Sequence, residues 1–317
     1  MLLLCIAYAF VVGSGPIDHF DHALYADTIR YMKAGESYYD AHLRAFADQG
    51  IEPSELRSIR QPAVFLLWRL MPLSLLWPTY VLVVVAATCF LMIRLTRSPV
   101  VVIAVAAYLL FAGRIPPEPV IEQWLLVELW TLPVLTASAV CWHRGRHGEA
   151  SALAAVAVLM RETAIGFLAV GFVWAWWKGD VPARIRWSIG ALGALVGYAV
   201  HASLALPHLA GEGQDAAILG TGDPPRTIWE MAAWMIPGPD AIGAAVMAVG
   251  VVHIVRHRMD LAPLLGLFAL AGAGIFVARP YWGFLFTPFG ILMFGEAVSR
   301  RLNDDDPTAT AGSRGSA

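Results

Sequence analysis

The sequence predicts an all-α polytopic membrane protein, about ten transmembrane helices with an amphipathic helical first outer loop. Three observations predict it. Only 15% of the 317 residues are charged, where a soluble domain carries about a quarter. Mean hydropathy is +0.62, and the apolar residues come in unbroken runs such as 81–93 and 100–112 rather than in alternation. Short basic clusters punctuate those runs: "RLTRS" (94–98), "HRGRHGE" (143–149), "KGDVPARIR" (178–186), "RHR" (256–258) and "SRR" (299–301).

Lys and Arg mark cytoplasmic loops, so an even number of crossings separates each consecutive pair of clusters. The first run, 1–12, lacks a positive flank and a good cleavage context. It is read as a retained first span that begins short of the roughly 20 residues a crossing needs. Outer loop 1 follows at about 14–77. Its end, "QPAVFLLWRLMPLSLLW" (61–77), is broken by Pro62 and Pro72 and reads as re-entrant or interfacial. Residues 78–93 then run inward to the first basic cluster.

Between 99 and 142, "GRIPPEP" (113–119) is the outer turn. From 150 to 177 the chain is apolar except for Arg161 and Glu162. One long helix there would put its flanking basic loops on opposite sides. Two short spans meeting at Arg161–Glu162 keep both loops inside and the charged step outside. Residues 187–206 go out and 241–255 return, with a Gly/Pro-rich outer loop at about 207–240. From 259 to 298, "ARPYW" (278–282) is the outer turn. Both termini lie inside, 1–302 forms a single transmembrane domain, and the polar tail 303–317 is expected to be disordered. No internal repeat is visible.

Composition also excludes. Cys5, Cys89 and Cys141 are odd in number and each sits in an apolar run, which argues against a disulfide framework or a thiolate metal site. A net charge of −2 without a basic patch points away from nucleic acid.

The stretch "IDHFDHALYADTIRYMKAGESYYDA" (17–41) stands out, with four aspartates, two histidines and four tyrosines directly after the first apolar run. On a helical wheel Ile17, Phe20, Leu24 and Tyr31 form an apolar stripe. Asp21 and Tyr25, four apart and on one face, lie at its edge, with Asp18 one turn earlier. An amphipathic helix at the membrane surface fits the pattern. Two readings follow. The acids and histidines solvate an interfacial helix, or a carboxylate at the lipid–water boundary, its pKa raised by desolvation, serves as a general base.

Asp21-x3-Tyr25 followed by Gly35-x2-Tyr38-Tyr39-Asp40 resembles the first outer loop of GT-C-type glycosyltransferases. More narrowly it is similar to the polyprenyl-phosphate-sugar-dependent branch that includes bacterial alpha-mannosyltransferases. "RQPAVFLLWRLMPLSLL", "LMRETA" (159–164) and "ARPYWGFLFTP" (278–288) resemble later elements of that branch, in the same order. The resemblance implies a GT-C-like fold and an inverting transfer, in which an acceptor hydroxyl attacks the anomeric carbon of a sugar such as mannose carried on a polyprenyl phosphate. The partners it implies are that lipid-linked donor, a cell-envelope glycan or glycolipid acceptor, and membrane lipid. Asp21 would be the general base and Asp18 the second choice. The leaving lipid phosphate calls for a cation at the outer face, Arg279 first and Arg161 second. Tyr25, Tyr38, Tyr39, Glu162, Glu122 and Tyr281 would support the site. The enzyme would sit in the cytoplasmic membrane with its active site facing outward.

Each residue has a plainer reading. Arg161 beside Glu162 would close a helical hairpin as a buried ion pair, and a headgroup-level arginine such as Arg279 would snorkel. Glu118, Glu122 and Glu128 would pair with Arg114 or Arg161, or orient an acceptor sugar or a metal. Asp18, His19 and His22 are spaced to offer a divalent cation site. Trp174, Trp176 and Trp177 read as interfacial belt anchors. "GDPPRTIWE" (222–230) is the acceptor-side segment. Two other functions compete: a transporter or flippase for a lipid-linked glycan or small solute, and a non-catalytic membrane scaffold. Transporters favour internal repeats and midplane charges, whereas the charges here cluster towards one side.

Overall fold

The computed structural model describes residues 20–53, 56, 59–96, 98–112, 125–209, 240–261 and 283–304. Every regular element among the described residues is a helix, in agreement with the all-α class. The run 1–12 with Cys5, the outer turns 113–119 and 278–282, the segment 222–230 and the tail from 305 lie outside them.

The first two helices form the polar segment read from sequence as the first outer loop. α1 (Phe20–Lys33) stops at Gly35, whose φ of 109° is open to glycine and strained for other residues. Glu36 N–H bonds back to Tyr31 O and Gly35 N–H to Met32 O, the paired closure of a Schellman turn. Ser37 then caps α2 (Tyr38–Asp48), its hydroxyl oxygen accepting from the Asp40 amide. A buried Thr28–His42 hydrogen bond of 2.9 Å ties the two helices together.

The face α1 buries differs from the expected stripe. Leu24, Tyr25, Thr28, Ile29 and Met32 are buried, while Tyr31 is half-exposed. α1 packs against α2 and also against α3 (Ala63–Arg69), and two neighbours widen the covered face to adjacent pairs of positions. Tyr25 is thus central rather than at an edge. Helical register carries position 21 in line with Tyr25, Thr28 and Met32.

The segment 61–77 also differs from its expected form. Pro62 precedes the short α3, but beyond Pro72 the chain is helical without a break. α4 (Leu73–Thr79) runs into a π-helical stretch, Tyr80–Ala86, and then α5 (Ala87–Met92). The helical run therefore starts at Leu73, not at 78. Pro78 lies inside α4. A proline there offers no amide and its ring crowds the carbonyl four residues back, and the wider π turns follow directly after it.

The remaining helices are α6 (Pro99–Ala112), α7 (Val127–His143), α8 (His147–Met160), α9 (Ile165–Trp177), α10 (Val181–Ala205), α11 (Asp240–His257) and α12 (Gly283–Asp304). Arg161 breaks the apolar stretch 150–177 as expected. Its backbone is extended (φ −149°, ψ 117°), and a short 3-10 turn, Glu162–Ala164, follows. Packing gives the directions. A Cβ on Gly190 would stand 2.8 Å from Ser151 O, and one on Gly197 would stand 2.4 Å from Leu159 Cδ2. α8 and α10 therefore run parallel at a separation only glycine permits. Trp176 meets Arg184, and Gly171 meets Trp187, so α9 runs antiparallel to α10. It follows that α8 and α9 form a hairpin whose turn is Arg161–Glu162.

The basic clusters gather at the opposite end of the helices from that turn. The Trp142 ring lies tilted against Trp187, 4.9 Å between centroids, and Ser151 donates to Arg186 O at 2.7 Å. Trp174 belongs to this packing, 4.9 Å from Trp142 and 5.3 Å from His147. It packs within the bundle, whereas Trp176 and Trp177 are 63% and 72% exposed. Nearby, Arg258 joins three segments. It bonds Glu296 at 2.8 Å, Leu95 O at 3.1 Å and Asp260, while Asp260 also holds His143 at 2.7 Å and Thr96 donates to Glu296.

Among the described residues one helix, Val181–His208, is long and apolar enough to cross a membrane. Four shorter apolar helices accompany it: Tyr80–Met92, Pro99–Leu110, His147–Met160 and Glu162–Trp177.

Candidate functional site

The end of the helices that carries Arg161–Glu162 also receives α1, α2 and α3. The join is aromatic. Phe65 on α3 meets Tyr25 edge-on at 5.1 Å and Tyr38 at 5.2 Å, and Trp68 meets Trp130 of α7 at 5.9 Å. Aromatic side chains bury large areas with specific geometry, so α3 holds α1 and α2 against the bundle.

Arg60, just before α3, is gripped from two sides. Its Nε donates to Tyr25 Oη at 2.9 Å, and its carbonyl accepts from the Tyr38 hydroxyl. Arg60 as a whole is half-buried. Tyr38 is buried, stacked on His42 at 5.3 Å. Burial, then the neighbouring Tyr25, push its phenol well above the ordinary value, so it remains a donor at any physiological pH. Burial raises Tyr39 as well.

Tyr39 reaches across to α10. Its hydroxyl lies 3.0 Å from His201 Nδ1, and His201 Nε2 lies 3.0 Å from Ile59 O. A carbonyl only accepts, so in the neutral ring Nε2 carries the proton and Nδ1 accepts from Tyr39. The Tyr39 ring also stacks with His201 and His208, at 5.9 and 6.5 Å.

Behind these groups Arg161 is 1% exposed and held by two carboxylates, Glu128 at 2.7 Å and Glu162 at 3.0 Å. Glu128 sits in the first turn of α7 and is 2% exposed. Glu162 is 29% exposed and lies within electrostatic reach of Arg161 first, then of Arg60 and His201. The site is thus an outer layer of Arg60, Tyr39 and Glu162 over an inner layer of Arg161 and Glu128. It places the Arg60 guanidinium within electrostatic reach of a carboxylate, Glu162, that is 29% exposed.

Of the residues expected from sequence, Tyr25, Tyr38, Tyr39, Arg161 and Glu162 converge here. Asp21 lies on α1 one turn before Tyr25, with its side chain outside the description. Asp18, His19, Glu122, Arg279 and Tyr281 lie outside the described residues. Among the described residues no group of three or more His, Cys, Asp or Glu gathers as a metal site. The sequence reading missed Arg60 and His201. His201 had a signal, since it is an ionisable residue inside an otherwise apolar stretch of helix and such groups are functional candidates by default. Arg60 had none, because its partner Tyr25 is 35 positions away.

No protein-family model matches the chain, and no curated protein or solved structure matches it.

Proposed function

We propose that the chain is an integral membrane glycosyltransferase of the inverting, polyprenyl-phosphate-sugar-dependent kind. It spans the cytoplasmic membrane about ten times and moves a sugar, mannose or one like it, to a hydroxyl of a cell-envelope glycan or glycolipid at the outer face. The observation that carries this reading is the convergence of Tyr25, Tyr39 and Arg60 on the Arg161–Glu162 step, at the end of the helices remote from the basic clusters. A site on the outer face has no access to cytoplasmic nucleotide sugars, so a donor that arrives on a lipid fits it.

Asp21 is the general base. The register of α1 supports this, since position 21 stands one turn before Tyr25. Asp18 is the second choice. Arg60 joins Arg279 as a cation for the donor phosphate. Arg161 lies behind Arg60, held by Glu128 and Glu162. The phosphate would develop charge as the anomeric bond breaks, and a preset guanidinium stabilises it without reorganising.

The test is transfer from a panel of radiolabelled polyprenyl-phosphate sugars in purified membranes. Asp21→Asn is expected to lose on the order of 10²–10⁴-fold, the usual worth of a general base. Full transfer by Asp21→Asn with loss in Asp18→Asn would move the base to Asp18. No transfer by the unaltered protein, with solute movement across sealed vesicles instead, would make the protein a transporter.

A further inference from the structure

The basic end of the bundle carries a second feature, unrelated to the sugar site. Between α9 and α10 a groove of about 430 Å³ opens to the outside, lined by Phe172, Trp176, Arg184, Ser188, Ile189 and Leu192 among others. That volume falls in the range of ligand sites, about 300–1,000 Å³. Its chemistry is asymmetric. At one end the Arg184 guanidinium lies over the Trp176 ring, 4.9 Å from its centroid, with Ser188 one turn on. Beyond Ser188 the wall is apolar for the turn to Leu192, so the groove runs about 12 Å along the helix from Arg184. Outside the groove, Lys178 lies over the ring of Trp177. Ile185, Ile189 and Leu192 are each more than half exposed.

A cation and a hydroxyl at the mouth of an apolar channel fit a ligand with an anionic head and a hydrocarbon tail. We propose that this groove binds an anionic phospholipid of the inner leaflet, its phosphate on Arg184 and one acyl chain along Phe172, Ile189 and Leu192. Basic pockets between helices on the cytoplasmic side recognise such headgroups, and a tail in the groove covers apolar surface that water would otherwise meet. The proposal rests on the membrane part of the reading above and is independent of the sugar transfer.

The test begins with a carbonate wash of membranes, which an integral protein survives. The purified protein is then titrated with phosphatidylglycerol and with phosphatidylcholine of the same acyl chains, and bound lipid is counted by native mass spectrometry. The unaltered chain is expected to prefer phosphatidylglycerol about fivefold, one basic residue's worth near an anionic surface. Arg184→Gln should abolish the preference and Arg184→Lys should restore it. Ile189→Trp, which fills the channel, should lose both lipids, and Arg94→Gln, a basic residue elsewhere at the same end, should change nothing. A preference that persists in Arg184→Gln, falls equally in Arg94→Gln, or vanishes in excess inorganic phosphate would overturn the groove. Release by carbonate would overturn the membrane reading itself.

Discussion

Arg161 and Glu128 stand 2.7 Å apart, nitrogen to oxygen, with the two side chains 1% and 2% exposed. The pair joins the turn of one helical hairpin, α8–α9, to the first turn of α7. Glu162 adds a second carboxylate at 3.0 Å on the exposed side. Two desolvated charges in this setting hold position more than they add stability, because their desolvation offsets most of the attraction.

Breaking that pair is nonetheless costly, since it leaves a buried charge without its nearest counter-charge. Glu128→Ala is expected to destabilise the protein by about 3 kcal/mol, the low end for a broken buried pair, because Glu162 remains. Thermal unfolding in detergent measures it, and Glu128→Gln should fall between. If Glu128→Ala melted with the unaltered protein, the pair would have no structural weight.

The close approach of α8 and α10 gives a paired test. Gly190→Ala puts a methyl 2.8 Å from the Ser151 carbonyl oxygen, a backbone atom that cannot swing away, and overpacking of this kind costs about 1–3 kcal/mol. Gly193 has open space around its Cβ position. Gly193→Ala should therefore be neutral or raise stability by up to about 1 kcal/mol through helix propensity. Equal shifts for the two variants in the same melting experiment would contradict the packing.

Under the proposed function, Arg60 and Tyr25 act together. Arg60→Gln is expected to lower sugar transfer on the order of 100-fold, the scale of losing one preset donor to a developing anion. Tyr25→Phe keeps the ring packing on Phe65 and removes only the hydroxyl that accepts from Arg60 Nε. It should raise the donor KM by up to about tenfold, the value of one charge-assisted hydrogen bond. Tyr25→Phe with unchanged kinetics would reduce Tyr25 to packing.

The basic end should respond to acid. Burial works to raise Asp260, but its hydrogen bonds and charge contact with Arg258, and then His143, hold the carboxyl below its ordinary value. A lowered folded-state pKa contributes stability that is present above the unfolded value, near 3.9. That stability is lost as pH falls through the folded value. The melting temperature of the unaltered protein should drop more steeply than that of Asp260→Asn below about pH 4. Parallel curves would show that the Arg258 cluster does not depend on that charge.

Loop charge alone carried the topology of 143–209 a long way. Requiring basic clusters 143–149 and 178–186 to share a side forced a turn at Arg161–Glu162, and the helices do reverse there. What hydropathy could not reveal was the start of the run at Leu73, because Pro72 and Pro78 look alike in sequence and only one of them is absorbed within a helix. The face of α1 was misjudged because a wheel assumes one neighbour, and α1 has two. The partner of Arg161 was not legible either. Glu122 and Glu128 are equally eligible by composition, and the choice depends on where α7 begins.

The Tyr39–His201–Ile59 chain sets a limit on how a proton can leave the site. Tyr39 hands its hydrogen bond to His201, and His201 hands its own to a peptide carbonyl, which has no proton to pass on and little basicity with which to take one. The wire is closed at that end. Under the proposed function, a proton taken from an acceptor hydroxyl would not be exported through α10 along this chain. It would leave by the mouth of the site instead, to water or with the departing phosphate of the proposed donor.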